Sequence, residues 1–108
     1  MRDHVAPIEF DVETTTYRAR YDPSAIDPSL AVVSMLGSIT DCDVADLAPL
    51  HDVIDPQSFD RLLHHARTTP HGDRLQITFR YAGHLVTVFG DGQLEVEPVR
   101  EAGQADDE

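Results

Sequence analysis

Lysine is absent from this chain of 108 residues, and all eight basic side chains are arginines. Tryptophan is absent as well, so a core must be built mostly from Val, Leu and Ile. The chain has 20 acidic residues and only these eight basic ones, so its net charge is −12. Nevertheless, 41% of its residues are hydrophobic. This combination predicts a folded domain with an acidic surface. Because carboxylates are strongly hydrated, such a surface suits water of very high salt concentration.

Cysteine is nearly absent, and long apolar runs are missing. The single Cys42 excludes an internal disulfide, which fits a reducing cytoplasm. No stretch reaches the roughly 18 apolar residues that a membrane span needs. The first residues lack the apolar segment of a signal peptide. We therefore expect a soluble, cytoplasmic protein with no membrane partner.

The scarcity of positive charge argues against nucleic acid as a partner, since cations must displace counterions from phosphate. In molar salt, however, the Debye length is only about 3 Å, and long-range repulsion nearly vanishes. Nucleic-acid binding is thus disfavoured but not excluded.

The length predicts a single domain. Residues 1–14 show no steady period and are expected to form a flexible arm. Residues 15–98 are expected to form the domain, and 99–108 a disordered acidic tail.

Two helices are predicted from their starting signals. Asp27-Pro28-Ser29 opens the first, whose apolar residues recur at helical spacing as far as about Thr40. Asp55-Pro56 opens the second, and Asp55 is expected to be its cap. Between them, Leu47 and Leu50 belong to a short helical turn that reaches the core.

Alternating polar and apolar residues predict the strands. The first alternation is Thr15–Tyr21. The last third contains three more at 75–81, 84–89 and 94–97, which are separated by turns at Ala82-Gly83 and Gly90-Asp91-Gly92. The order is one strand, two helices, then a three-stranded antiparallel meander. It predicts an α+β fold with the helices packed on one sheet face.

Several short strings occur in an order that resembles a known family. They are Tyr21-Asp22, Pro28-Ser29-Leu30-Ala31-Val32-Val33, Leu47-Ala48-Pro49-Leu50, Val53-Ile54-Asp55, Phe59-Asp60-Arg61-Leu62, Phe79 to Val88 and Gly92 to Val96. Together with the lysine-free composition, they resemble the halobacterial output domain family, type one. The resemblance covers residues from about Thr15 to Val96.

Members of that family are small haloarchaeal modules, found alone or after receiver and sensory domains. The resemblance implies regulatory output by contact, and it brings no catalytic or ligand-binding residues. The chain departs from the family pattern at Asp41-Cys42-Asp43, where a glycine more often follows the first helix.

Sites for chemistry are weakly indicated. Six histidines are present, but zinc needs about four converging ligands, and the adjacent His64 and His65 of one helix point in different directions. A Cys42–His51 dyad lacks any oxyanion loop or orienting signature. We therefore expect no enzyme, no metal and no cofactor. A small metal or cysteine enzyme is the least favoured alternative.

The arginines are the unusual feature. Arg18, Arg20 and Arg80 fall, by alternation, on the polar face of the sheet, and Leu85 and Phe89 fall on the same side. Pairing with Glu95, Glu97 and other acids across the strands is one interpretation. The other is an interaction surface that combines apolar and cationic side chains.

The leading hypothesis is a non-enzymatic signalling or regulatory output module that acts by protein–protein contact through this face. A homodimer is one form of that hypothesis. The alternative is a nucleic-acid-binding regulator whose sheet-face arginines contact phosphate.

Overall fold

The computed structural model describes residues 8–99, and they form two helices and five strands. The strands are β1 (Glu9–Asp11), β2 (Thr16–Arg20), β3 (Gln76–Tyr81), β4 (His84–Phe89) and β5 (Gln93–Pro98). The helices are α1 (Pro28–Thr40) and α2 (Pro56–Arg67), with short 3₁₀ turns at Val44–Asp46, Leu50–Asp52 and Gly72–Arg74.

The strands form one antiparallel sheet in the order β1-β2-β5-β4-β3. The last three strands are the predicted meander, and β2 closes against β5 with Ala19 opposite Leu94. The sheet has one strand more than the alternation predicts, because β1 pairs with β2 ahead of the first predicted strand. Among the described residues, β1 and β3 are the edges.

Both helices pack on the same face of the sheet, which confirms the predicted α+β class and arrangement. The ring of Phe59 in α2 meets that of Phe79 in β3 edge to face, with centroids 5.7 Å apart. The buried core combines residues of both helices with the central strands: Ala31, Val32, Met35, Leu36, Phe59, Leu63, Val86, Val88, Leu94 and Val96. Neither helix of residues 8–99 therefore lies on the opposite face of the sheet.

Both helices begin as predicted, but their starts are held differently. In α2, the Asp55 carboxylate accepts a hydrogen bond from the Gln57 nitrogen at 3.2 Å, the expected cap. In α1, the Asp27 side chain makes no capping bond. The Asp60 carboxylate instead accepts from the backbone nitrogen of Ser29.

The end of α1 explains the departure at Asp41. This residue adopts the left-handed conformation, φ 57° and ψ 40°, which usually favours glycine after a helix. The next backbone nitrogen, that of Cys42, then donates to the Gly37 carbonyl at 3.0 Å. Aspartate tolerates this conformation better than most residues, so the chain ends the helix without glycine.

The segment after α1 reaches the core as expected. Leu50 is buried and Leu47 packs against the core from one side. The Tyr81 hydroxyl donates to the Ala48 carbonyl at 2.6 Å. This bond ties the segment to the end of β3.

The predicted acidic tail, 99–108, lies outside the described residues except for Val99. The first half of the predicted arm, residues 1–7, also lies outside them. The limits 15–98 drawn for the domain stay a prediction. No helix among residues 8–99 is long and apolar enough to cross a membrane.

Candidate interaction surface

The sheet face turned away from the helices, called here the outer face, carries all the predicted surface residues. Strand register places these side chains on it: Arg18, Arg20, Gln76, Thr78, Arg80, Leu85, Thr87, Phe89, Gln93, Glu95 and Glu97. All of these are half-buried or exposed, whereas Thr16, on the same side of β2, is buried. No helix of residues 8–99 lies over the outer face.

Arg18 is the centre of an ion-pair network at the β2 side of this face. Its Nε lies 3.2 Å from Oε2 of Glu95, and its Nη1 lies 3.2 Å from Oδ2 of Asp11. The hydrogen bonds that Arg18 donates to Asp11 and Glu95 raise the pKa of its guanidinium, and the bond to Asp11 in turn lowers the pKa of that carboxyl. The network also holds Gln93, which donates to Glu95 at 2.8 Å. The guanidinium of Arg18 is thus paired with carboxylates of the same chain.

The guanidinium of Arg20 also has a partner in the same chain. Its Nη2 donates to the backbone carbonyl of Asp91 at 2.8 Å, and its Nη1 lies 3.9 Å from the Asp91 carboxylate. This contact joins β2 to the turn between β4 and β5. Glu95 was expected as an arginine partner, whereas Asp11 and Asp91 were not, because strand alternation cannot place residues of β1 or of a turn.

Arg80 differs from the other two arginines. It lies on β3, three strands from β2, which corresponds to about 14 Å at normal strand spacing. Its side chain is exposed, and no residue between 8 and 99 forms an ion pair or side-chain hydrogen bond with it. Of the three predicted surface arginines, Arg80 is therefore the one whose guanidinium has no partner among residues 8–99. We call such a guanidinium open.

The two apolar surface residues lie beside Arg80 on β4. Leu85 is the direct cross-strand neighbour of Arg80, and Phe89 is opposite Gln76. Between them, the hydroxyls of Thr78 and Thr87 are hydrogen-bonded at 3.2 Å. The hairpin β3–β4 thus presents a small outer patch with an open cation at one end and Phe89 at the other.

Charge divides the outer face into two halves. No acidic residue lies between Asp73 and Asp91, the longest such interval in the chain, and this interval is the hairpin β3–β4. The half formed by β1, β2 and β5 carries Asp11, Glu95 and Glu97. In the sequence, Arg80 lies within an interval that contains no acid, whereas Arg18 has acids nearby. This difference is the signal by which the two arginines could have been distinguished.

The alternative chemical sites do not assemble among the described residues. No group of three or more His, Cys, Asp or Glu side chains between residues 8 and 99 could hold a metal ion. Cys42 is exposed, and His51 lies 3.4 Å from its neighbour Asp52. His64 contacts Asp27 at 3.1 Å and joins the two helices.

An open cleft of about 340 Å³ lies between the end of α2 and the turn after β4. Its lining includes Arg67, Asp73 and Asp91, so carboxylates outnumber the cation there. The Arg67 guanidinium points to the Pro23 carbonyl at 3.4 Å. The excess of carboxylates in this cleft disfavours the binding of an anionic ligand.

Comparison with known proteins identifies a family. A family model described as halobacterial output domain 1 matches residues 24–98, from the loop before α1 to the end of β5. No curated protein and no solved structure matches.

Proposed function

The chain belongs to the halobacterial output domain 1 family, and from that membership we propose that it is a non-enzymatic regulatory module that acts by binding another protein. The binding surface is the outer face of the hairpin β3–β4, formed by Arg80, Leu85 and Phe89. The observation that carries the proposal is the Arg80 guanidinium, which has no partner among residues 8–99, beside half-exposed apolar side chains on the sheet face that neither α1 nor α2 covers.

The chemistry of this patch fits an acidic protein surface. An arginine with no internal partner can form a bidentate pair with a carboxylate of the partner. Leu85 and Phe89 supply the apolar contact that remains effective when salt screens charges. The absence of acids between Asp73 and Asp91 lessens the repulsion of an acidic partner at this hairpin, although Glu97 lies opposite Leu85 on β5.

Nucleic-acid binding is less well supported by the geometry. It would use three arginines, but Arg18 and Arg20 already contact carboxylates of the same chain. Of the three outer-face arginines this leaves Arg80, and one cation provides little counterion release. The protein-binding hypothesis needs only Arg80 and the apolar residues.

Affinity capture in multimolar KCl tests the proposal, with the domain compared to two charge-reversal variants. Arg80→Glu removes the open cation of the outer face. Arg61→Glu is the matched control, because Arg61 is an exposed arginine of α2, on the other side of the sheet. A third variant, Phe89→Ser, removes the apolar end of the patch.

We expect a protein captured by the unmodified domain and by Arg61→Glu to be lost with Arg80→Glu and with Phe89→Ser. Retention of the same protein by both outer-face variants would remove this face from consideration. Loss of capture after nuclease treatment, with a steep dependence of duplex DNA binding on salt, would favour the nucleic-acid alternative.

A further inference from the structure

We propose that two copies of this domain associate through β3, which pairs with β3 of the second copy to join the two sheets into one. The inference goes beyond the outer-face contact, since it concerns the backbone edge of the sheet. Four observations support it: the direction of the edge hydrogen-bonding groups, their symmetric register, the apolar residues beside them and the local absence of acid.

Among residues 8–99, no strand pairs with the outer edge of β3. The β3–β4 turn holds only Ala82 and Gly83, and both have positive φ, which is typical of a turn whose flanking residues share paired hydrogen bonds. The Gly90 nitrogen also donates to the Leu75 carbonyl at 2.8 Å. Because such pairs alternate along antiparallel strands, the N–H and C=O groups of Gln76, Thr78 and Arg80 point away from β4.

These three residues are arranged symmetrically about Thr78. An antiparallel pairing with a second copy places Thr78 opposite Thr78 and Gln76 opposite Arg80, and it uses all three outward-pointing residues at once. A two-fold axis through Thr78 generates this register, as a closed dimer requires. In this register, Arg80 faces an amide side chain, and no like charges are opposite each other.

Apolar side chains lie on the helix side of the same edge. Ile77 and Phe79 of β3 are only partly buried, and the register places each opposite the other across the axis. In α2, Asp60 and His64 contact the α1 end, so helical geometry puts Leu62 on the flank turned away from α1. Because Phe59 of the same helix meets Phe79 of β3, we infer that this flank faces the β3 edge. Leu62 is 47% exposed, and a second copy at this edge would cover it.

Charge favours this edge over the other one. The chain carries −12, so two copies approach most easily where acids are absent, and β3 lies within the acid-free interval. The edge at β1 carries Glu9 and Asp11 instead. Of the two sheet edges that residues 8–99 form, β3 is thus the one whose charge favours self-association.

Disulfide trapping in multimolar KCl tests the register, with every variant built on Cys42→Ser. Thr78 is exposed at the edge, and in the proposed dimer the Cα atoms of position 78 in the two copies are about 5.5 Å apart. The variant Thr78→Cys is therefore expected to form an intermolecular disulfide on mild oxidation. Thr87→Cys is the matched control, since it shares the outer face but lies one strand inward. In the proposed dimer, two such cysteines are about 14 Å apart and do not bridge.

Sedimentation equilibrium in the same salt provides the second measurement. The unmodified domain is expected to dimerise with concentration, and Leu62→Ser to weaken the dimer about tenfold. Leu30→Ser is the control, because Leu30 is 55% exposed on the solvent side of α1. A monomer at all concentrations, or trapping through Thr87→Cys as readily as through Thr78→Cys, would overturn the proposal.

Discussion

The carboxylate of Asp60 accepts two hydrogen bonds from Ser29, at 2.8 Å from its backbone nitrogen and at 2.7 Å from its hydroxyl oxygen. Ser29 is the second residue of α1, where the backbone N–H has no partner within the helix. A side chain of α2 thus performs the capping that the residue before α1 leaves undone. The same flank of α2 contacts Asp27 through His64, so the two helices are joined by polar contacts at one end.

Replacing Asp60 is therefore expected to destabilise the fold. Asp60→Ala removes both bonds and the negative charge near the start of α1, and we expect a loss of about 1 to 2 kcal/mol in the free energy of unfolding. Ser29→Ala removes only the hydroxyl bond and is expected to cost about half as much. Urea unfolding in concentrated KCl measures both.

Asp43→Asn is the control for this pair, because Asp43 is exposed and its side chain makes no capping bond. We expect a change below about 0.5 kcal/mol. Equal effects of Asp60→Ala and Asp43→Asn would show that the interhelical cap contributes nothing.

The hairpin turn offers a stabilising substitution. Ala82 adopts φ 53° at the first position of the turn, where a side chain beyond glycine, asparagine or aspartate is strained. Ala82→Asn is expected to raise the free energy of unfolding by roughly 0.5 to 1 kcal/mol. Ala25→Asn is the control, since Ala25 is an exposed turn residue without positive φ; a gain as large there would contradict the explanation.

Two glycines are expected to respond differently to alanine. At Gly90, an added Cβ would collide with the backbone carbonyl of Gly72, so Gly90→Ala should cost more than about 3 kcal/mol. At Gly83, nothing lies within 4 Å and only the positive φ of 74° opposes a side chain. Gly83→Ala should cost about 1 kcal/mol. Thermal unfolding ranks the two, and the reverse order would refute the close approach at Gly90.

Alkaline pH should destabilise the fold through Tyr21. Burial raises the pKa of its phenol to about 12 from 10.0. Between these values the unfolded chain loses the proton while the folded chain keeps it, so stability present below pH 10 is lost as the pH rises towards 12. The loss is on the order of 1 to 2 kcal/mol.

The variant Tyr21→Phe cannot ionise at this position. Its free energy of unfolding should therefore fall less than that of the unmodified chain between about pH 9 and about pH 11.5. Burial also raises the pKa of Tyr81, so part of the alkaline loss should remain in the variant. Identical pH profiles for the two proteins would contradict the role of Tyr21.

Local patterns in the sequence predicted most of the fold because they reflect local physical requirements. Asp55-Pro56 opens α2 and Ala82-Gly83 forms the hairpin turn, since caps and turns depend on adjacent residues. The strand β1 was not predicted, because its three residues are half-buried or exposed and are held by pairing with β2. The cap from Asp60 was missed for the same reason: it joins residues 31 positions apart.

The outer face shows the same limit. Alternation placed Arg18, Arg20 and Arg80 on one face, as the register has them. It could not show which guanidinium is open, because Asp11 and Asp91 reach Arg18 and Arg20 through tertiary contacts. Only the distribution of acids along the sequence hints at that difference.

Site-directed photo-crosslinking tests the central claim, the outer-face contact, most directly. A benzophenone is attached through Thr87→Cys on the outer face or through Gln57→Cys on α2, both in a Cys42→Ser background. Each labelled domain is irradiated in cell extract at multimolar KCl, and the adducts are identified by mass spectrometry. An adduct with a different protein is expected from position 87 and none from position 57. If that adduct formed only, or equally, from position 57, the outer-face contact would be contradicted.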